Sequence, residues 1–542
     1  MTISDLNRRS LLRGAGLATG AMLLGQGAPI HAETMTGEDI TLRIGRGSIA
    51  IDGRHAPAIT INGSVPGPTL RLKQGQTLRL TVINELDEAT SLHWHGLLLP
   101  FEMDGVPGVS FPGIPPRGRF TYTFPIIQSG TYWYHSHSGF QEVMGVYAPI
   151  VIEPAQTPAP MRDHIIMLSD HSFTAPQSIL RNLKADPGHY NRQPRTLFDH
   201  PVANGLSWAK MRMDPTDIAD VTGAVLHYLV NGRGPADNWT ALFTPGEPVK
   251  LRFINGAGMT FFNIRIPALP LTMIAADGQD IRPVTVDEFQ IAPGETYDVL
   301  VHPGAQAHTI VAESMDRSGM ARATLAPAPG MVAPVPPLRA RPVLTMRDMG
   351  MGDMDMHGHT MKMRDGAIAP QVHMGPGVEM IAPMPADRTG DPGIGLADVG
   401  HRVLTYRDLI AAAPMPDPRA PEREIEVHLT GAMDRYMWSM DGQVMSHDNP
   451  IPLRTGERVR ITLINDTMMA HPIHLHGHLF DLVTGHGENA PRKHTVTVLP
   501  GGKVSVDTTA QAGDWAFHCH LFLHMAMGMM RVVQVRPGQV QA

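Results

Sequence analysis

The residues best equipped for chemistry lie together near the carboxyl end, in the run His518-Cys519-His520-Leu521-Phe522-Leu523-His524-Met525-Ala526-Met527-Gly528-Met529. Cys519 is the chain's single cysteine. A thiolate, imidazoles and a weak thioether make a soft donor set, suited to copper of the kind that passes single electrons. On a β-strand, successive side chains leave on opposite faces, so His518 and His520 project one way and Cys519 the other. One strand can then hold a copper through sulfur on one face and further metals through two imidazoles on the other, joined by a few covalent bonds. A core cysteine that merely sits near surface histidines is the plainer reading. It does not account for matching histidine pairs that recur three times upstream.

The elements that must position these residues come from a repeat. Gly75–Asn84 (GQTLRLTVIN), Gly246–Asn255 (GEPVKLRFIN) and Gly456–Asn465 (GERVRITLIN) share one pattern. Each alternates apolar and polar residues, the period of a half-buried strand. A turn dipeptide precedes each copy: Asn62-Gly63, Asn231-Gly232 and Asp441-Gly442. Three such units predict three β-sandwiches in a row. Nine and eleven residues after Asn84 stand His93 and His95, and at the same offsets from Asn465 stand His474 and His476. After Asn255 those positions are Ile264 and Ile266. Gly130 to His137, with His135 and His137, likewise parallels Gly513 to His520. The outer units carry imidazoles where the middle one carries apolar side chains, so a metal cluster is expected between the first and third units, with the second as spacer.

Charge and composition bound the rest. A net charge of -7 with mixed signs argues against a nucleic-acid partner, and no apolar run approaches the roughly 20 residues of a membrane span. With one cysteine the chain cannot form an internal disulfide, which leaves core burial and metal ligation to stabilise it. Residues 1–32 read as an export signal: the twin-arginine pattern Asn7-Arg8-Arg9-Ser10-Leu11-Leu12-Arg13, an apolar segment from Gly14 to Gly25, and a cleavage site after Ala32. The expected location is a bacterial periplasm. From about Pro327 to Pro421 the chain is rich in Pro, Gly, Ala and Met and shows no sustained period, so it reads as a linker or mobile loop. Within it, Met349, Met351, Met354 and Met356 belong to a methionine-rich stretch, and thioethers suit capture of Cu(I).

Leu92-His93-Trp94-His95-Gly96, Tyr134-His135-Ser136-His137-Ser138, His471-Pro472-Ile473-His474-Leu475-His476-Gly477 and the cysteine run together resemble the four signature motifs of the multicopper oxidases. The resemblance spans the chain after the export signal. It is strongest to the periplasmic copper-resistance oxidases, through Met211 to Asp217, Glu424 to Trp438, Asn465 to Met469 and the methionine-rich insert. It implies an all-β fold of three consecutive cupredoxin-like Greek-key β-sandwiches, at residues 38–156, 160–327 (without copper ligands) and 422–542, with a Pro/Gly/Met-rich linker or insert at 328–421. It implies four copper ions per chain. His471, Cys519, His524 and, axially, Met529 resemble the type 1 site. His93 and His474 resemble the type 2 ligands. His95, His135 and His520 resemble the ligands of one type 3 copper, and His137, His476 and His518 those of the other. The backbone and side chains joining Cys519 to His518 and His520 are the implied wire. Asp104, nine residues after His95, matches an acid that serves the cluster. Where some members carry an acid just after the second type 1 histidine, this chain has Met525.

These features predict an oxidase that takes electrons from Cu(I), returns Cu(II), and reduces O2 to water for copper resistance. Asp466, Met468 and Met469, just ahead of His471, are candidate residues for the substrate Cu(I). Other periplasmic copper-handling proteins are candidate partners. Two alternatives remain at this stage: a laccase-like oxidase of phenols and other organic reductants, and a non-catalytic copper-sequestering protein. His164, His171, His478, His486 and His494 fit no ligand spacing and read as structural.

Overall fold

A computed structural model describes residues 33–156, 159–191, 214–349, 363–446 and 448–538. The export signal, Met211 to Met213 of one motif, and Met351, Met354 and Met356 lie outside them. The fold is three consecutive cupredoxin-like β-sandwiches. In the first, a four-stranded sheet (Arg54–Ile61, Asp39–Ile51, Thr77–Asn84, Arg119–Pro125) faces a five-stranded sheet that ends at Gly130–His135 and His93–His95. The second pairs a six-stranded with a five-stranded sheet, and the third a seven-stranded with a five-stranded sheet.

The repeated strands become Thr77–Asn84, Val249–Asn255 and Arg458–Asn465. Each pairs in parallel with an earlier strand, Asp39–Ile51, Arg162–Ser172 or Arg423–Ala432, whose own antiparallel partner ends at the turn dipeptide, and pairs antiparallel with a later strand. The dipeptides hold positive φ at both residues: 51° and 80° at Asn62-Gly63, 51° and 74° at Asn231-Gly232, 54° and 70° at Asp441-Gly442. That is the tight hairpin geometry that Asn, Asp and Gly tolerate best. The asparagine closing each repeated strand is also alike. Its Nδ2 donates to carbonyls of two separate segments, Glu88 and Ile114 for Asn84, Thr260 and Ile291 for Asn255, Met469 and Val498 for Asn465. All three are buried, and these bonds pin the corner where the chain crosses to the opposite sheet. The next strand is therefore placed alike in every copy: His93–His95, Phe262–Arg265 and His471–Leu475.

The connecting residues are laid onto the sandwiches, which the lack of periodicity did not suggest. Residues 363–421 form no sheet of their own. Ala386–Asp387 pairs with the strand Gly502–Thr509, and Ala411 and Val403 bridge to Ile281 and Glu288. Leu344, Ile394, Leu404 and Leu409 enter one apolar core that runs through the second and third sandwiches. Ala369, Val372, Val378 and Ile381 make a small apolar cluster within the segment, and its other apolar side chains are ordered by burial against surfaces already built.

Candidate metal centre

Cross-strand register brings the histidines together. His93 lies opposite His135 in the first sandwich, and His474 opposite His518 in the third. The two sandwiches then meet through these edges. His93 stacks on His476 with ring centroids 3.7 Å apart, and His95 on His474 at 3.8 Å. His137 is 5.2 Å from His518, and His520 is 4.8 Å from His95 and 5.2 Å from His135. Eight imidazoles from two sandwiches share one buried site. At the matching offsets in the middle sandwich, Ile264 and Ile266 are core residues.

The outward hydrogen bonds fix the tautomers. A carbonyl or carboxylate oxygen only accepts, so a ring nitrogen facing one carries the proton. His474 Nδ1–H donates to the His494 carbonyl at 2.6 Å, His518 Nδ1–H to the Cys519 carbonyl at 2.9 Å, and His135 Nδ1–H to Glu142 Oε2 at 2.8 Å. His93 Nδ1–H donates to the Asp104 carbonyl at 2.9 Å, and His476 Nδ1–H to Asp104 Oδ2 at 2.9 Å. Asp104, fully buried, thus holds one imidazole from each outer sandwich. In each of these five rings the unshared pair sits on Nε2. The Nε2 atoms of His93, His135, His137 and His474 have no hydrogen-bond partner, and those of His476 and His518 face each other at 3.0 Å. His95 is turned the other way: its Nε2 lies 3.1 Å from Thr495 Oγ1, and its Nδ1 is unpartnered.

Burial, together with neighbouring imidazoles, holds His95, His135, His137, His474, His476 and His520 well below the ordinary histidine pKa, and His518 down to about 3. Neutral rings with lone pairs converging in a closed space fit metal cations, because unpaired buried acceptors are costly without one. An imidazole set suits copper among the borderline metals.

On the other face of the same strand, Cys519 Sγ lies 3.5 Å from His471 Nδ1 and 3.9 Å from His524 Nδ1. The two Nδ1 atoms are 3.1 Å apart. His524 Nε2–H donates to Asp220 Oδ2 at 2.6 Å, which leaves its Nδ1 lone pair aimed at the sulfur. His471 Nε2 bonds Thr467 Oγ1 at 2.7 Å, and Trp438 stacks on His524 at 3.8 Å. Met529 is fully buried, and its carbonyl accepts the Cys519 N–H. Burial pushes the Cys519 thiol up, so only a bound cation would favour the thiolate here. One sulfur, two oriented nitrogens and a buried thioether fit a single copper.

Several residues the sequence did not single out prove central. Asp220 arrives from the second sandwich, Glu142 lies five residues past His137, and Trp438 packs on His524. His494, expected to be structural, lies with Nδ1 3.2 Å from His95 Nε2 and within one donor group with His95 and His474. The structure places it there by pairing its neighbour Thr495 with His474. His486 and His164 bond backbone carbonyls away from the cluster, while His478 donates to the carbonyl of His476 and accepts the Gln511 N–H. Asp466 and Met468 are placed differently from a substrate site at the rim. Asp466 is buried against His428 at 2.7 Å and accepts the Ala382 N–H, and Met468 is core. Met349 closes a short 3-10 turn, Met346–Met349.

Sequence models of the multicopper oxidase family match residues 43–157, 164–328 and 418–539. Copper resistance protein A of Escherichia coli is 47% identical over 98% of this chain and 99% of its own length. A copper resistance protein A homolog of Pseudomonas syringae pv. tomato is 46% identical over 98% and 99%. Among solved structures, the laccase from Botrytis aclada aligns with a TM-score of 0.66 at 21% identity, over 93% of this chain and 88% of that one. Among the described residues no helix is long and apolar enough to cross a membrane. The chain belongs to the multicopper oxidases, as a copper-resistance oxidase with copper cofactors and O2 as electron acceptor.

Proposed function

We propose that the protein oxidises Cu(I) in the periplasm, taking electrons at Cys519 and passing them to O2 at the histidine cluster. The balance is four Cu(I), one O2 and four protons giving four Cu(II) and two waters. His471, Cys519, His524 and Met529 would hold a type 1 copper. His93 and His474 would hold a type 2 copper; His95, His135 and His520 one type 3 copper; His137, His476 and His518 the other. Copper at these positions would supply one-electron acceptance on the sulfur side and three-electron storage on the imidazole side, four electrons in all.

The observation that carries this reading is the opposed placement of Cys519 and its neighbours. The sulfur faces His471 and His524, while His518 and His520 join the cluster through covalent bonds of the same strand. A store for copper needs no such link between a thiol site and an imidazole cluster. The remaining work belongs to the protein's own groups. Asp220 and Trp438 set the His524 ring; Glu142 and Asp104 set rings of the cluster. Asp104, touching imidazoles of both outer sandwiches, is the carboxylate placed to hand protons toward reduced oxygen. Burial of every cluster histidine but His137, itself only partly accessible, keeps bulk water from intercepting reactive oxygen species. Twin-arginine export, from the pattern at Asn7 to Arg13, would deliver the folded chain to the periplasm.

The test is oxygen uptake with Cu(I) as sole reductant, in wild type and Cys519→Ser. Cys519→Ser is expected to keep the fold and lose both the blue absorbance and the uptake. Wild-type uptake in that variant overturns the assignment. Copper binding by wild type with no uptake leaves only sequestration.

A further inference from the structure

Tyr406 stands on the connecting segment, in the 3-10 turn Tyr406–Asp408, where Asp408 accepts the Thr405 N–H and hydroxyl at 2.8 Å. Its side chain lines a cavity enclosing about 580 Å³, part of it open to solvent, between the second and third sandwiches. Tyr406 O–H donates to Glu295 Oε1 at 2.7 Å, and the same oxygen lies 3.1 Å from Lys493 Nζ. Lys493 pairs in turn with Asp277 at 3.0 Å. Glu295, Lys493 and Asp277 are all buried. On its other side, Tyr406 Oη accepts the Thr497 N–H at 2.8 Å. Thr497 and Thr495 share one short strand, and Thr495 Oγ1 lies 3.1 Å from His95 Nε2. Two hydrogen bonds and a stretch of backbone thus join a phenol to the histidine cluster.

A clamp for the connecting segment is the plainer role for Tyr406. Leu404 and Leu409 already seat that segment by burial, however, and Glu295 already has Lys493 and the Ala292 N–H as partners. A phenol gives up an electron readily only when a base takes its proton in the same event, and the base must lie within hydrogen-bond reach. Glu295 is so placed. Burial, with the nearby charge of Glu295, holds the phenol proton on Tyr406 well above the ordinary range. Burial also raises Glu295, against the pull of Lys493, so its carboxylate takes a proton more readily than an exposed one. Lys493 Nζ lies 5.5 Å from the Tyr406 ring centroid and opposes a positive charge left on the ring. Electron and proton therefore leave together. Trp133 is nearer the cluster, stacked on His135 at 4.2 Å, but its Nε1–H has no acceptor.

We propose that Tyr406 is a stored reducing equivalent, giving one electron to O2 at the histidine cluster and its proton to Glu295 when the reductant has delivered three electrons instead of four. Three electrons from the reductant, one from Tyr406 and four protons from solvent turn one O2 into two waters. The Tyr406 O–H bond breaks and leaves a neutral phenoxyl radical, while a new O–H bond forms on Glu295. The next electron from the reductant restores the phenol as Glu295 returns the proton. The inference rests on the histidine cluster as the place of O2 reduction, and not on Cu(I) as the donor.

The test uses copper-loaded protein given a limiting three electrons per chain by ascorbate, mixed with O2, frozen at once and read by electron paramagnetic resonance. Wild type should show a phenoxyl signal that narrows when the protein is grown with ring-deuterated tyrosine. Tyr406→Phe should lose the signal. Glu295→Gln keeps the phenol but offers it an amide oxygen that takes up no proton, and should cut the signal about tenfold or more. Copper content and blue absorbance are measured alongside, and Glu295→Gln stands in should Tyr406→Phe fail to fold. A wild type that reduces O2 with no radical overturns the relay and leaves the cluster standing, as does a signal undiminished by either substitution. A fully reduced wild type that takes up no O2 overturns the cluster as the place of reduction, and the relay with it.

Discussion

Asp220, from the second sandwich, accepts the Nε2–H of His524, from the third, at 2.6 Å. The middle sandwich carries Ile264 and Ile266 at the offsets of the imidazole pairs, yet it sets the tautomer of a residue facing Cys519. Tyr436 O–H donates to the same Asp220 oxygen at 3.0 Å, so the carboxylate is itself held. Asp220→Ala should free the His524 ring to reverse its tautomer. Outer partners of metal-binding histidines are typically worth about 10–100-fold in affinity or activity. A loss of that size in Cu(I) turnover, with a displaced blue absorbance, is expected. An unaltered spectrum would show that Trp438 stacking alone orients the ring.

Gly105 follows Asp104 with φ +84°, and a Cβ there would lie 1.8 Å from the Leu92 carbonyl oxygen. The close approach is what brings Asp104 back onto His93. Gly105→Ala must move backbone on one side or the other. The expected cost exceeds about 2 kcal/mol, combining left-handed strain with overpacking. Thermal unfolding should show it. Copper content should fall at the histidine cluster more than at Cys519, because Asp104 contacts only the former.

Much of this arrangement was legible in the sequence, for a local reason. The repeated strand, its turn dipeptide and its closing asparagine act within about ten residues, so spacing from Asn84 or Asn465 carried directly to the histidines. The matching isoleucines, Ile264 and Ile266, told the spacer from the metal-bearing units. Contacts set by the docking of separate sandwiches left no such trace. Asp220 reaches His524 across 304 positions, and His494 reaches His95 across 399. Asp466 was offered on its nearness to His471 in sequence, and spacing could not show that its carboxylate turns to His428 on the neighbouring strand. The 363–421 segment looked free because its order comes from the surfaces beneath it.

His428 offers a pH test away from the metal sites. Its Nδ1 faces Asp466 at 2.7 Å and its Nε2 faces Glu426 at 3.0 Å. Burial works against a charged ring, but the two carboxylates outweigh it and raise the pKa to about 9. Burial also pushes Asp466 upward, which subtracts from the pair's gain. The direction that governs is that of His428, which is bonded at both nitrogens. A raised folded-state pKa stabilises fully below the unfolded value of about 6.5, and that contribution is lost as pH rises through about 9. Wild type should therefore lose up to about 2 kcal/mol between pH 6.5 and 9.5 that His428→Gln does not lose. Denaturant unfolding at a series of pH values measures the difference, and parallel curves for the two proteins would exclude the charged pair.

His494 fills the flank of the cluster that sequence spacing left unassigned. Asp277 of the middle sandwich accepts the N–H groups of both His494 and Thr495 at 3.1 Å, and also pairs with the buried Lys493 at 3.0 Å. This clamp presents the His494 ring and the Thr495 hydroxyl to His95 Nε2, at 3.2 and 3.1 Å, which leaves His95 Nδ1 as the free nitrogen. His95 is turned opposite to the five rings whose Nδ1 is bonded outward, and His494 is the group that fits its reversal. His494→Ala removes the ring while sparing the backbone bond to Asp277. His95 can then rotate, and copper retention at the cluster should drop about tenfold under chelator challenge. The blue absorbance at Cys519 should persist, since that site lies on the other face of its strand. Equal copper loss from both sites would mean that the substitution has loosened the third sandwich as a whole, and a full complement at both would assign the reversal of His95 to Thr495 alone.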